Sequence, residues 1–307
     1  MTEGSAATPT VAAVVREQMS ISWSRARQLC IDGRVTVDGR RCTDPASRVA
    51  PGMTVAVDPY APKLSASPLG ETAIVFCDNE VVIVDKPAGM LSVADEDGNR
   101  DTLVDYTRTL LRKTRRYGVD TALGVVHRLD KDTSGLMMFT RSAHAKRMLA
   151  EQFREHTIER VYHAIAHGFV AATTMDTFLL LDRGDAMRGS HGHFVRTAGD
   201  PPPDARRAIT FIRPIAALEN ATLVECRLET GRQHQIRIHL SEIGHPLVGE
   251  RVYIRDYRGP KIAASRPMLH ARTLGFAHPR TGNKMVFERE PPADFDSMIE
   301  SLQPHHP

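Results

Sequence analysis

The apolar and polar positions divide the chain into two stretches of different rhythm. In VAAVVREQMSISWSRARQLCIDG, residues 11–33, short apolar stripes are interrupted at Ser20 and Ser22. That pattern predicts two short helices, the second beginning at Ser22 or Ser24 and ending at Gly33. RVTVDG and MTVAV then read as two strands, giving a small helix-plus-hairpin module over residues 11–58. Residues 1–10 are small and polar without a period and read as a loose tail. Residues 59–71, rich in Pro and Ser, read as a linker.

A β-rich domain is expected over residues 72–303. AIVFCDNEVVIVDKPAGM gives two β-branched strands around an Asp-Asn turn, SAHAKRMLAEQFREH a helix capped by Ser142, and RVYHAIAHG and TLVECRLET two further strands. In LETGRQHQIRIHLSEIGHPLVGE, residues 228–250, Ile236, Leu240 and Ile243 recur at helical spacing. Thr230 and Gln233 stand at capping-box spacing, and Gly244 sits where a helix should stop. Residues 183–207 form a long polar excursion rich in Gly and Pro, of the kind that is usually functional or disordered. One stretch resists a bland reading. GVVHRLDKDTSGLMMFTRS, residues 124–142, sets His127, Arg128, Asp130, Lys131 and Asp132 between two apolar, strand-like segments.

Composition narrows the class. With 307 residues and 41% hydrophobic content the chain can build a large core and a small one. No apolar stretch reaches the roughly 18 residues that span a bilayer, and the N-terminus lacks a basic start before an apolar run. A cytoplasmic protein is expected. Cys30, Cys42, Cys77 and Cys226 are far apart with no CxxC pair, so reduced thiols are expected and a structural zinc is not. Of 40 basic residues 33 are arginine. Arginine's planar fork suits phosphate and stacked bases, although a GC-rich genome would write the same excess.

Metal and nucleotide chemistry find no support. His234 and His239 are five apart, about 140° around a helix, unlike a zinc-binding i, i+4 pair. GHPLVGER lacks the Lys-Ser/Thr of a P-loop, and DEDGN at 95–99 has Arg100 where a calcium loop needs glycine. What remains is carboxylate chemistry. Asp130 and Asp132 could be the paired acids of a glycoside hydrolase. Neighbouring Arg128 and Lys131 instead favour an ionised Asp130, suited to act as nucleophile or base at a sugar carbon. The helix within residues 228–250 carries His234, Arg237 and Arg232 near its amino end, where anions bind, and an arginine on it could pair with Asp130.

These residues resemble the pseudouridine synthases of the ribosomal-large-subunit class. HRLDKDTSGLMMFT looks like that family's catalytic motif, and VVIVDKPAGML, RVYHAIAHG, LETGRQHQIRIHLSEIGHPLVGE and LHARTLGFAHP resemble four further blocks in order. The N-terminal unit is similar to the S4 RNA-binding module, on SRARQLCIDGRVTVDG. The resemblance implies an α+β catalytic domain on a mixed, largely antiparallel β-sheet, preceded by a small S4-like α/β module. It implies Asp130 as the catalytic aspartate, Tyr162 as the ring that stacks on the uracil, and Arg237 as partner of the aspartate. Arg128 would fill the space left by the flipped base. RNA contacts are expected from Arg128, Arg232 and His234, and from Arg25, Arg27 and Arg34 on the module.

No metal or organic cofactor is implied, and a monomer acting on structured RNA is expected, with large-subunit ribosomal RNA as target and transfer RNA as the alternative. Two positions depart from the family: Arg160 stands for a lysine and Glu250 for an aspartate, both keeping the charge. A catalytically silent RNA-binding assembly factor on the same fold is the competing class. Each residue also has a plainer reading: Asp130 as a loop carboxylate, Tyr162 as core, and the arginines as a solvated face.

Overall fold

The computed structural model describes residues 8–42, 44–61, 69–94, 102–114, 122–185, 187–193 and 200–304. Most of the tail and linker expectations (residues 1–7 and 62–68), the 95–99 turn and part of the 183–207 excursion (186 and 194–199) lie outside the described residues. The chain divides into two compact units, Met1–Pro68 and Leu69–Pro307.

In the first unit, α1 (Val11–Met19) and α2 (Trp23–Ile31) are capped by Thr10 and Ser22, whose hydroxyls accept from the N–H groups of Ala13 and Arg25. Residues 8–10, expected in a loose tail, are held: Pro9 accepts from Val49 N–H, and Thr8 from Arg48. The expected hairpin becomes three strands, β1 (Val35–Val37), β2 (Arg40–Arg41) and β3 (Val55–Val57), with β1 in the middle. The cause is Asp38-Gly39, both at positive φ, a two-residue turn that returns the chain at once along β1. One core closes the unit, from Val11 and Val15 of α1, Leu29 and Cys30 of α2, and Val35 and Val55 of the sheet.

The second unit is built on an eleven-stranded sheet. Its strands are β4 (Ile74–Cys77), β5 (Val81–Lys86), β6 (Gly124–Val125), β7 (Ser134–Thr140), β8 (Glu159–His167), β9 (Thr173–Leu180), β10 (Gly189–Ser190), β11 (Arg206–Leu218), β12 (Ala221–Leu228), β13 (Leu269–Ala277) and β14 (Lys284–Glu288). The order is β10-β9-β11-β12-β8-β13-β7-β5-β4, with β14 on β13 and β6 on β7. Among the described residues β7 and β13 run parallel and the other pairs antiparallel, so the mixed, largely antiparallel α+β expectation holds.

Helices α3 (Leu103–Thr114), α4 (Ala143–Arg154), α5 (Gln235–Glu242) and α6 (Ala293–Ser301) cover this sheet. The unbroken apolar runs of β5 and β7 follow from burial on both faces. Val82, Val84, Met137 and Phe139 pack toward α3 and α5, while Val81, Ile83, Leu136 and Met138 pack with Leu149 of α4. Ser142 caps α4 as expected, accepting from Ala145 N–H.

Two local expectations are corrected. The capping box at Thr230 and Gln233 does not form, and α5 starts later, after His234 at φ 60 with no side-chain cap. Thr230 instead accepts the Ile209 N–H and donates to Gln235 Oε1, because both side chains are buried where satisfying the β11 backbone takes precedence. The excursion after β9 is also tied where it is described. Ser190 of β10 pairs with Leu179, and its N–H and hydroxyl both reach the Glu242 carboxylate of α5.

Candidate active site

The polar run between two apolar strands is a loop, residues 126–133, fastened along its backbone. Ser92 donates its hydroxyl to the Leu129 carbonyl at 2.6 Å and accepts the Leu129 N–H at 3.1 Å. The Gly89 N–H reaches the Lys131 carbonyl at 2.9 Å, and Arg266 donates to that of Asp132 at 3.2 Å. Lys86, fully buried at the end of β5, donates Nζ to the carbonyls of Pro87, Lys131 and Thr133 at 3.1, 2.8 and 2.7 Å. Three carbonyls match the three N–H bonds of an ammonium, where a neutral amine offers two. Burial nevertheless pushes the Lys86 pKa down to about 7, against the pull of Asp132 and Asp130. At the loop's far end Gly135, at φ +110, runs against the Ala271 backbone, where any Cβ would overlap the carbonyl.

His127, conspicuous in the sequence, belongs to this framework. Its Nε2 accepts the Met138 N–H at 3.0 Å and its ring packs 5.1 Å from that of Phe153. Burial, with Arg160 nearby, pushes its pKa down to about 3, so it stays neutral.

Asp130 is thereby presented to a cavity of about 540 Å³. Its carboxylate stands 3.8 Å from Arg237 Nη1 and 3.8 Å from His234 Nε2. Tyr162 and Arg160 share one face of β8, two residues apart, and line the same cavity. Burial, together with the Asp130 charge, raises the Tyr162 pKa against Arg160, which keeps the ring a phenol. The structure thus brings Asp130, Tyr162, Arg237, His234, Arg232 and Arg128 into one pocket wall. Asp132 is exposed and does not line it; with Asp130, His234 and Arg237 it borders a smaller adjoining pocket of about 270 Å³.

Arg237 has a second and closer partner. Its Nε and Nη2 donate to the two oxygens of Glu250, both at 2.8 Å, in a bidentate pair. Burial alone would raise the Glu250 carboxyl. Arg237 and the N–H groups of Val252 and Tyr253 hold it below the usual range. Tyr253 lies under the guanidinium, 5.3 Å from it, and its hydroxyl is 2.8 Å from His234 Nδ1. The left-handed backbone at His234 turns the chain into α5 and leaves the imidazole between Tyr253 and Asp130. Burial lowers the His234 pKa despite Asp130, which favours the neutral ring.

Among the described residues, seven arginines line the cavity against two carboxylates, Asp130 and Asp204. Sequence reading named Arg128, Arg232 and Arg237 as site residues and missed Arg154, Arg160, Arg188 and Arg206, along with Lys86, Glu250 and Tyr253. Arg160 and Glu250 had stood out only as departures from a family pattern, and Arg188 sits in the polar excursion. Arg128 is exposed and donates to Gln233 at 3.0 Å; Arg232 donates Nε to the Arg207 carbonyl at 3.0 Å. On the first unit, Arg25 and Arg27 are exposed, whereas Arg34 is half-buried and donates to the Pro59 carbonyl at 2.5 Å, a structural bond within its own unit.

Comparison with known proteins shows the family of both units. The family described as RNA pseudouridylate synthase matches residues 80–242, and the S4 domain matches residues 11–55. The RNA pseudouridine synthase YlyB of Bacillus subtilis is 35% identical over 292 residues, covering 92% of this chain and 90% of that protein. A ribosomal large subunit pseudouridine synthase D of Zymomonas mobilis is 39% identical over 237 residues, covering 75% and 72%, and one of Yersinia pestis 34% over 304, covering 92% and 87%. Among solved structures, human RNA Pseudouridylate Synthase Domain Containing 4 matches with a TM-score of 0.62 at 21% identity, covering 75% of this chain and 93% of that one, a likeness of fold.

Proposed function

Because the chain belongs to the RNA pseudouridylate synthase family, we propose that it isomerises specific uridines of large-subunit ribosomal RNA, with Asp130 as the essential group. The observation that carries this reading is the meeting of Asp130, Arg237, His234 and Tyr162 at one arginine-lined cavity. The curated relatives named for the large ribosomal subunit support the choice of RNA.

The reaction breaks the uridine N1–C1′ bond, turns the base, joins C5 to the same sugar carbon and moves the C5 proton to N1. The uridine must first leave its stack and enter the cavity. Asp130 then either attacks C1′ or takes a sugar proton, and both routes begin from a carboxylate. Arg237 supplies a positive field 3.8 Å away while Glu250 holds its other nitrogens. Tyr162, a protonated phenol, offers its ring to the uracil and its hydroxyl near the C5 proton. Arg128 occupies the place of the flipped base, and the exposed arginines of the wall, Arg154, Arg206 and Arg232, hold phosphates. Nothing is exchanged with a second substrate, so the chemistry asks for no metal or organic cofactor. A cytoplasmic monomer fits a ribosomal RNA substrate.

The test is to map pseudouridine, by carbodiimide adduct and primer extension, in ribosomal and transfer RNA from wild-type, deletion and Asp130→Asn cells. Sites lost from large-subunit RNA in both mutants are the expected result. Sites lost only from transfer RNA would move the substrate, and unchanged maps, with purified protein inert on unmodified transcripts, would leave an RNA binder.

A further inference from the structure

The first unit closes one core but leaves the chain's single tryptophan 43% exposed, with Met19, Ile31 and Met53 exposed as well. Trp23 is the first residue of α2, directly after its Ser22 cap. Two guanidiniums attend the ring: Arg16, from the last turn of α1, lies 4.6 Å from its centroid, and Arg27, one turn along α2, lies 5.9 Å away. Arg16, Arg25 and Arg27 are all exposed, with Glu17 the acidic side chain nearest in sequence. An exposed indole flanked by arginines is the chemistry of single-strand recognition, in which a base stacks on the ring while cations take the adjoining phosphates. A protein partner would be expected to meet a broader apolar patch with its charges at the rim. Here the cations lie on the ring itself.

We propose that Trp23 is a stacking platform for one unpaired base of the RNA substrate, with Arg16 and Arg27 on the flanking phosphates. This rests on the reading that the chain acts on RNA. It goes beyond it by giving the first unit a binding residue that sequence reasoning, which named only arginines there, did not see. The same contacts could instead serve only to join α1 to α2, and the experiment must separate these roles.

Because Trp23 is the only tryptophan, its emission reports on this site alone in the full-length protein. The protein is titrated with oligouridylate and with an unmodified large-subunit ribosomal RNA transcript fragment, following both tryptophan emission and RNA affinity. Quenching that tracks binding is expected. Trp23→Ala should weaken affinity about 5- to 150-fold, the loss appearing in KM, while Trp23→Phe, which keeps a ring, should stay within about 3-fold. Unchanged emission on binding overturns the proposal. So does equal loss in the Phe and Ala variants, or a loss in Trp23→Ala that follows its melting temperature, which would mark a structural ring. If wild-type protein quenches on binding but forms no pseudouridine in either RNA, the platform stands and the catalytic reading falls.

Discussion

Replacing Lys86 by methionine separates stability from catalysis, because this buried cation is costly to the fold and useful to the loop. Methionine has similar reach without charge. Holding Lys86 where its pKa falls from 10.5 to about 7 costs the folded state about 5 kcal/mol below pH 7. Methionine removes that cost and leaves the carbonyls of Pro87 and Thr133 without their donor, since Lys131 keeps the Gly89 N–H. Two orphaned acceptors cost about 2–6 kcal/mol together. The terms largely offset, so the change in global stability at neutral pH should fall between a loss of about 1 kcal/mol and a gain of about 3 kcal/mol. Asp130, however, loses the anchor beneath its loop, and a displacement of about 1 Å lowers the rate by about 100-fold.

The pH dependence supplies an independent check. A lysine with a depressed folded-state pKa binds fewer protons in the native than in the unfolded state between about 7 and 10.5, so its contribution favours folding increasingly as pH rises through that window. The Met variant lacks this group. The stability difference should therefore shift toward the wild type by about 2 kcal/mol between about pH 7 and pH 9. Urea denaturation at both pH values and single-turnover pseudouridine formation measure the two quantities. A variant with a wild-type single-turnover rate would refute the positioning argument, and a pH-independent difference would refute the buried-charge cost.

Asp132→Asn should keep activity within about 3-fold, because the side chain is exposed and borders the smaller adjoining pocket rather than the arginine-lined cavity; inactivity would support a two-carboxylate mechanism. Glu250→Gln should lower the single-turnover rate about 10- to 100-fold with little change in RNA affinity, and Glu250→Asp should recover part of it, as measured on saturating transcript. Gly135→Ala should give no folded protein, since a side chain at φ +110 would enter the Ala271 carbonyl; a soluble variant with native circular dichroism would contradict this.

What the sequence made legible was whatever depends on near neighbours or on a strong period. The paired apolar runs of β5 and β7, the Ser142 cap and the polar interruption at residues 126–133 all fall in that class. Contacts distant in sequence were not legible. Lys86 meets Thr133 across 47 residues, and the Thr230 hydroxyl prefers the Ile209 N–H, 21 residues away, to capping α5. A local capping rule fails there because a buried β11 N–H beyond the end of β12 competes for the same hydroxyl. The arginine partner of Asp130 was legible as a residue but not as a geometry: spacing alone could not show that Glu250, 13 residues farther on, holds it.

That geometry bears on how, in the proposed reaction, an aspartate can be both attended by an arginine and reactive. Had Arg237 met Asp130 through two hydrogen bonds at 2.8 Å, both carboxylate oxygens would be engaged and attack would first require breaking the pair. Glu250 takes that bidentate grip instead, on a carboxylate buried deeply enough that leaving it unpaired would be costly. Asp130 is left with a guanidinium nitrogen and an imidazole nitrogen, each at 3.8 Å, and among the described residues its oxygens accept no closer hydrogen bond. A cation at that distance contributes field without occupying a lone pair. On the proposed mechanism the buried glutamate acts through the arginine, by fixing how near that charge comes to Asp130.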